Sequence, residues 1–220
     1  MTAKTWNILG IVAAAVVIVG ITIALVVRPW EQAGTAAEPA GDVSAADTLA
    51  ADTHILDDAD EGAPVVVEFL DFECPSCALV YPTMETLRAE YSGEVTFAVR
   101  YFPLASHQNA FPAALAAEAA AQQGEFEAMY QRLFETHSDW AGTDDAAETF
   151  RGFAEDLGLD MDAYDAAVAD PATGDRIEAD YEAGVALGVQ STPTIYIDGQ
   201  QLELSHVDDI EAGIEAALAD

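Results

Sequence analysis

Ile8 to Val27 form an uninterrupted apolar run without a single charge. As a helix, about twenty such residues rise about 30 Å, the thickness of a bilayer core. Trp6 and Trp30 flank the run as interfacial aromatics do. The length argues for an uncleaved anchor, because the apolar core of a cleavable signal is usually about 7–15 residues long. Lys4 and the α-amino group precede the run and Arg28 follows it, so the positive-inside rule predicts a short cytoplasmic tail, residues 1–7, with the bulk of the chain outside. Residues 28–52, rich in Ala, Gly, Asp and Glu, read as a flexible acidic linker to a domain spanning 53–220.

Within that domain the apolar period alternates between strand-like and helix-like stretches. Residues 54–56 read as a short edge strand, and Pro64 to Phe72 as a buried strand, a nearly continuous run of Val, Phe and Leu. A helix is predicted from Cys74 to Tyr91, with Pro75 in its first turn and Pro82 kinking its middle. Val95–Tyr101 is the next strand. An alanine-rich helical block then occupies about 105–171. Its helices are expected at 107–123, 126–136, 143–157 (Thr143 and Asp144 as N-cap candidates) and 161–169, with Pro171 as a breaker. A further helix, 174–187, leads to strand 194–197, the hairpin signal Asp198-Gly199, a return strand at 201–204 and a terminal helix at 207–218. Strand–helix–strand implies a parallel pair with a right-handed crossover, and the later hairpin makes the sheet mixed.

Charge narrows the function. Forty acidic residues oppose seven basic ones, and past residue 30 there is no lysine. Such a surface repels nucleic-acid phosphates and anionic lipid, which excludes nucleic-acid binding. Because the acids are spread along the chain, they read as a solvated, salt-tolerant surface rather than as a steering patch for basic substrates. The four histidines are scattered without ligand spacing, so structural zinc is not expected.

The two cysteines, Cys74 and Cys77, are the only ones in the chain and lie at C-x-x-C spacing where the buried strand passes into a helix. A helix N-terminus offers free N–H donors and partial positive charge, which lowers the first thiol's pKa. This is the pattern of a redox centre. Glu68 lies within the apolar strand; buried there its carboxyl pKa rises, although strand alternation leaves a solvated glutamate open. Asp71 and Glu73 read as exposed. His107 reads as a helix-start or surface histidine, with a titrating role as the alternative.

The stretches VVVEFLDFECPSC (65–77), RYFPLASHQNAFPAALAAEAA (100–120) and GVQSTPTIYIDG (188–199) resemble the thioredoxin superfamily. Within it they resemble the membrane-anchored, extracytoplasmic DsbA-like thiol–disulfide oxidoreductases. The resemblance implies an α/β thioredoxin-like fold with a mixed central sheet and a helical insertion. It implies Cys74 as nucleophile, Cys77 as resolving cysteine and Glu68 as their buried proton carrier. Pro75 and Ser76 would tune the potential, and strongly oxidising relatives often carry histidine where Ser76 stands. Thr192 and a cis Pro193 would dock substrate chain beside the sulfurs, and Pro82 would match the kinking helix proline. The implied activity needs no metal or organic cofactor: the disulfide is donated to exported protein thiols and restored by a quinone-linked membrane protein of the DsbB or vitamin K epoxide reductase type. A reductase or isomerase uses the same residues. A non-catalytic binding module is a third reading, against which the intact cysteines and Thr192-Pro193 weigh.

Overall fold

The computed structural model describes residues 44–219. The predicted anchor, the tail before it and the linker up to residue 43 lie outside the described residues. Among the described residues, no helix is long and apolar enough to cross a membrane.

A helical turn, α1 (Ala45–Thr48), precedes strand β1 (His54–Asp57) and strand β2 (Val65–Leu70). Helix α2 (Pro75–Glu90) then carries the chain to β3 (Thr96–Tyr101), which pairs parallel with β2. The helical block follows: α3 (Ala110–Ala121), α4 (Phe126–Glu135), α5 (His137–Trp140), α6 (Ala147–Asp156) and α7 (Met161–Ala169). Helix α8 (Pro171–Leu187) returns to the sheet, where β4 (Thr194–Ile197) and β5 (Gln200–Gln201) precede α9 (Asp208–Leu218). The strand order is β1-β3-β2-β4-β5. Strand β4 runs antiparallel to β2, and β1 runs antiparallel to β3 at the edge, so the sheet is mixed as expected.

Strand β2 is central, and its alternation decides what meets the helices. Val66 joins Val80, Met84 and Leu87 of α2 and Ile210 and Ile214 of α9 in one core. Val67 and Phe69 point the other way, into a core with Phe102, Val189 and Tyr196. There Phe102 stacks on Tyr181 of α8 at a centroid distance of 4.6 Å. Gly184 lets α8 approach that closely: a Cβ at this position would lie 2.7 Å from the Phe102 ring. The third core joins the upper end of β2 to the helical block, through Leu70, Phe72, Tyr130, Phe134 and Trp140. The small side chains of α3, nearly all alanine and buried, let several helices pack around it.

Several boundaries differ from expectation for local reasons. Residues 44–52 were expected in the flexible linker, but α1 buries Thr48. Arg100 Nη1 donates to the Thr48 carbonyl at 3.1 Å, and Arg176 pairs with Asp52 at 2.9 Å. Both arginines also pair with the buried Asp180 at 2.7 Å, so a buried ion cluster fastens the segment that composition alone made look loose. Helix α6 starts at Ala147 rather than Thr143: the Thr143 hydroxyl is spent on the Trp140 carbonyl, and Asn109 Oδ1 accepts from Ala146 N instead. Helix α3 starts at Ala110 rather than 107, because His107 and Asn109 are bonded to the turn before α2. Pro171 ends α7 and also opens α8 at its first position, with the Asp170 carboxylate accepting from Ala172 N at 2.9 Å. The return strand shrinks to Gln200–Gln201. Asp198 and Gly199 both adopt positive φ, the geometry of the predicted hairpin turn.

Candidate active site

Cys74 is the N-cap of α2 and Pro75 its first residue, where the missing N–H costs nothing. A turn closed by Cys74 N donating to Asp71 O at 3.1 Å presents the cysteine at the end of β2. Both cysteines are free thiols and buried, Cys74 at 5% exposure. The Cys74 thiol donates to the Thr192 carbonyl at 3.3 Å. Hydrogen bonding from Cys77, helped by Thr192 and the backbone N–H groups of Cys77 and Ser76, outweighs burial and brings the Cys74 pKa down to about 4. Cys77 moves the opposite way. Burial, the bond to Cys74 and the nearby charges of Glu68 and Cys74 hold it well above the ordinary thiol value. One helix turn therefore carries two thiols pushed in opposite directions, Cys74 toward the thiolate and Cys77 toward the protonated thiol.

Glu68 occupies the middle of β2, between Val99 of β3 and Ile195 of β4. Alternation puts it on the same face as Val66 and Leu70, the face covered by α2. It is 2% exposed, which removes the solvated-edge alternative. Burial, with smaller contributions from Cys74 and Glu85, raises its pKa from 4.5 to about 8. The Glu68 charge is in turn among the influences that raise the Cys77 pKa.

Thr192 lies against Cys74, and the bond from it to Pro193 is cis. The Thr192 hydroxyl is buried and has no hydrogen-bond partner among the described residues. Hydrogen bonding with Thr192 is among the causes that lower the Cys74 pKa. A groove of about 670 Å³ runs from here, lined by Ser76, Leu79, Thr83, Thr192, Pro193 and Val207 among others. Leu79 stands 71% exposed at its wall. The groove wall mixes apolar residues such as Leu79, Val80 and Pro193 with polar ones such as Ser76, Thr83 and His206.

The reading of Asp71 and Glu73 as exposed is overturned: they are 1% and 5% exposed. Burial raises the Asp71 pKa, opposed by three donors. Oδ1 accepts from Glu73 N at 2.8 Å, while Oδ2 accepts from Leu104 N at 2.9 Å and meets His107 Nδ1 at 2.7 Å. Glu73 ties the cysteine turn to the helical block. Its carboxylate accepts from Asn109 N at 2.6 Å, Asn109 Nδ2 at 3.0 Å and Gly142 N at 2.8 Å. His137 Nε2 lies 3.0 Å from the Glu73 carbonyl. Sequence reasoning missed Asn109, Gly142 and His137 as supports of the site, since their partners lie 36 to 69 residues away. The available signal was two carboxylates beside the cysteines, which a low-pKa thiol tolerates only if their charge is engaged. Among the described residues, no cluster of three or more His, Cys, Asp or Glu could hold a metal ion.

Comparison with known proteins places this geometry. The thioredoxin family profile matches residues 59–216. Curated relatives include the Na(+)/H(+) antiporter NhaA of Herminiimonas arsenicoxydans, 34% identical over 141 residues, 64% of this chain and 22% of that protein. Another is the antiporter NhaA 3 of Salinispora tropica, 38% identical over 141 residues, 63% of this chain and 21% of that protein. The chain spans about a fifth of the length of these relatives. Among solved structures, oxidised BdbD from Bacillus subtilis superposes with a TM-score of 0.69 at 20% identity, covering 81% of this chain and 97% of that one. MdbA from Corynebacterium diphtheriae, a thiol-disulfide oxidoreductase, gives 0.62 at 22% identity, with 80% and 92% covered. By sequence profile, by fold and by the paired thiols at the start of α2, the chain belongs to the thioredoxin family.

Proposed function

We propose that the chain is a protein thiol–disulfide oxidoreductase working as an oxidase, which donates a Cys74–Cys77 disulfide to exported proteins. The substrate's first thiolate attacks Cys74 Sγ, the disulfide breaks, and Cys77 leaves, taking a proton from Glu68. The substrate's second thiolate then attacks its own sulfur in the mixed disulfide and expels Cys74 as a thiolate. Two substrate thiols become a disulfide, and their two electrons reside on the reduced Cys74–Cys77 pair. The observation that carries this reading is the Cys74 pKa of about 4 beside a Cys77 that keeps its proton. A low-pKa thiol is a good leaving group, and stabilising the reduced form makes the disulfide oxidising.

In the same reading, residues 8–27 anchor the chain with the domain extracytoplasmic. A quinone-linked membrane protein of the DsbB or vitamin K epoxide reductase type re-forms the disulfide, and the anchor raises the effective concentration of the two partners. Protease protection in intact and lysed cells tests this placement. Ser76 favours one competing reading: it brings no positive charge between the cysteines, which suits a reductase or isomerase of lower potential.

The direction is tested in cells. A Cys77→Ser variant is expected to accumulate mixed disulfides between Cys74 and exported proteins, with the wild-type pair mostly oxidised. A mostly reduced wild-type pair would overturn the oxidase reading in favour of the reductase.

A further inference from the structure

Hydrogen bonds hold the Cys74 pKa down, and a nearby cation would add to them, but the C-P-S-C segment brings none. Each arginine in the described residues is committed elsewhere. Arg88 pairs with Asp57, Glu85 and Glu127, Arg100 with Asp180, Arg132 with Asp156, Arg151 with Glu155 and Asp165, and Arg176 with Asp52 and Asp180. No lysine follows residue 30. His54 is engaged with Glu118 and Tyr101, His137 spends Nε2 on the Glu73 carbonyl, and His206, on the wall of the Thr192–Pro193 groove, faces the Asp209 carboxylate that also accepts its backbone N–H.

His107 is placed differently. Nδ1 is held at 2.7 Å by Asp71, whose carboxylate is buried and whose own carbonyl receives Cys74 N. Its Nε2 makes no hydrogen bond to the described residues. The ring is about a quarter exposed, and it lines a cavity of about 550 Å³ together with Pro75, Glu73, Gly142 and Asp144. The cavity lies beside the cysteine turn, and Thr192 and Pro193 are not in its wall.

We propose that His107, oriented through Nδ1 by Asp71, is the positioning cation of the redox site: as an imidazolium it stabilises the Cys74 thiolate and so makes the Cys74–Cys77 disulfide more oxidising. Electrostatics agree with the geometry. Burial alone would lower the His107 pKa, but the bond and charge of Asp71, with smaller contributions from Cys74 and Glu73, raise it overall. The groups facing the ring are Asp71 at the end of β2, Glu73 and Cys74 before α2, Asp144 before α6, and Glu178 and Tyr181 on α8. Of these, only Cys74 changes charge with redox state. The inference rests on the disulfide chemistry of the pair and not on the direction in which it runs in cells.

Reciprocity supplies a test on the wild-type protein. If His107 stabilises the thiolate, the thiolate stabilises the imidazolium by the same factor. The His107 ring proton, followed by NMR from pH 5 to 9, should titrate at higher pH in the dithiol than in the disulfide form. Equal titration in the two forms overturns the proposal. A His107→Asn variant keeps a donor for Asp71 while removing the charge. Its equilibrium constant against glutathione should shift about three- to tenfold toward the disulfide, or ~15–30 mV, and the Cys74 thiolate should titrate at higher pH. An unchanged constant and thiolate titration in a folded variant refute the proposal, while the same samples still report whether the pair exchanges disulfides.

Discussion

Replacing Glu68 by Gln removes a buried carboxyl while keeping its shape. Its pKa is 4.5 in the unfolded chain and about 8 in the fold, raised chiefly by burial. Below pH 4.5 both states hold the proton and Glu68 imposes no penalty. Between pH 4.5 and 8 the unfolded chain releases the proton while the fold keeps it, so stability falls as pH rises and levels off above 8. At about 1.4 kcal/mol per pKa unit, the wild-type protein has lost ~3 kcal/mol to this residue at pH 7 and ~5 kcal/mol above pH 8. Glutamine carries no such slope. It still buries an amide, which costs about 1–3 kcal/mol if unpaired, but that cost does not change with pH. The assay is urea unfolding of both dithiol proteins at half-unit steps from pH 4.5 to 8.5. Subtracting the curves cancels the opposing slope of Cys74, whose lowered pKa makes stability rise with pH. Glu68→Gln should gain on the wild type steadily up to pH 8 and then hold its lead. Parallel curves would refute the burial and proton-holding role assigned to Glu68.

Other substitutions probe the frame around the cysteines. Gly184→Ala drives a methyl into the Phe102 ring and should cost about 1–3 kcal/mol in unfolding free energy, read from the denaturation midpoint. Glu73→Ala strands the Asn109 and Gly142 donors. It should cost about 2–4 kcal/mol and increase hydrogen exchange in residues 105–109 and 141–146, while Glu73→Gln retains part of the network. Leu79→Ser, at the exposed wall of the groove, should raise KM for an unfolded dithiol substrate and leave the potential of the pair unchanged.

Period and spacing made the sheet readable. The solid apolar run of β2, the C-x-x-C at its end and the Thr-Pro ahead of β4 pointed to the central strand and to two distant segments that the fold brings together at Cys74 and Thr192. The insertion was legible as helices because its aromatic and alanine positions repeat with helical period. Its helix starts were not, because Asn109 and Thr143 spend their side chains on distant partners rather than on their own first turns. The same cause hid the roles of Asp71 and Glu73. A carboxylate beside an exposed-looking motif reads as solvated until its donors arrive from residues 104–109 and 142. Glu68 was partly legible: an acid inside an otherwise apolar strand points to burial, but strand alternation leaves a solvated glutamate open until β2 is seen to be covered on both faces.

The oxidase reading stands on the relative stability of the dithiol and disulfide forms, so the reduction potential of the Cys74–Cys77 pair tests it most directly. Equilibration with glutathione at pH 7, followed by separation of the two forms, should give a value near about −120 mV, the range of strongly oxidising pairs whose reduced state is stabilised. A value near about −270 mV, the range of thioredoxin itself, would contradict it.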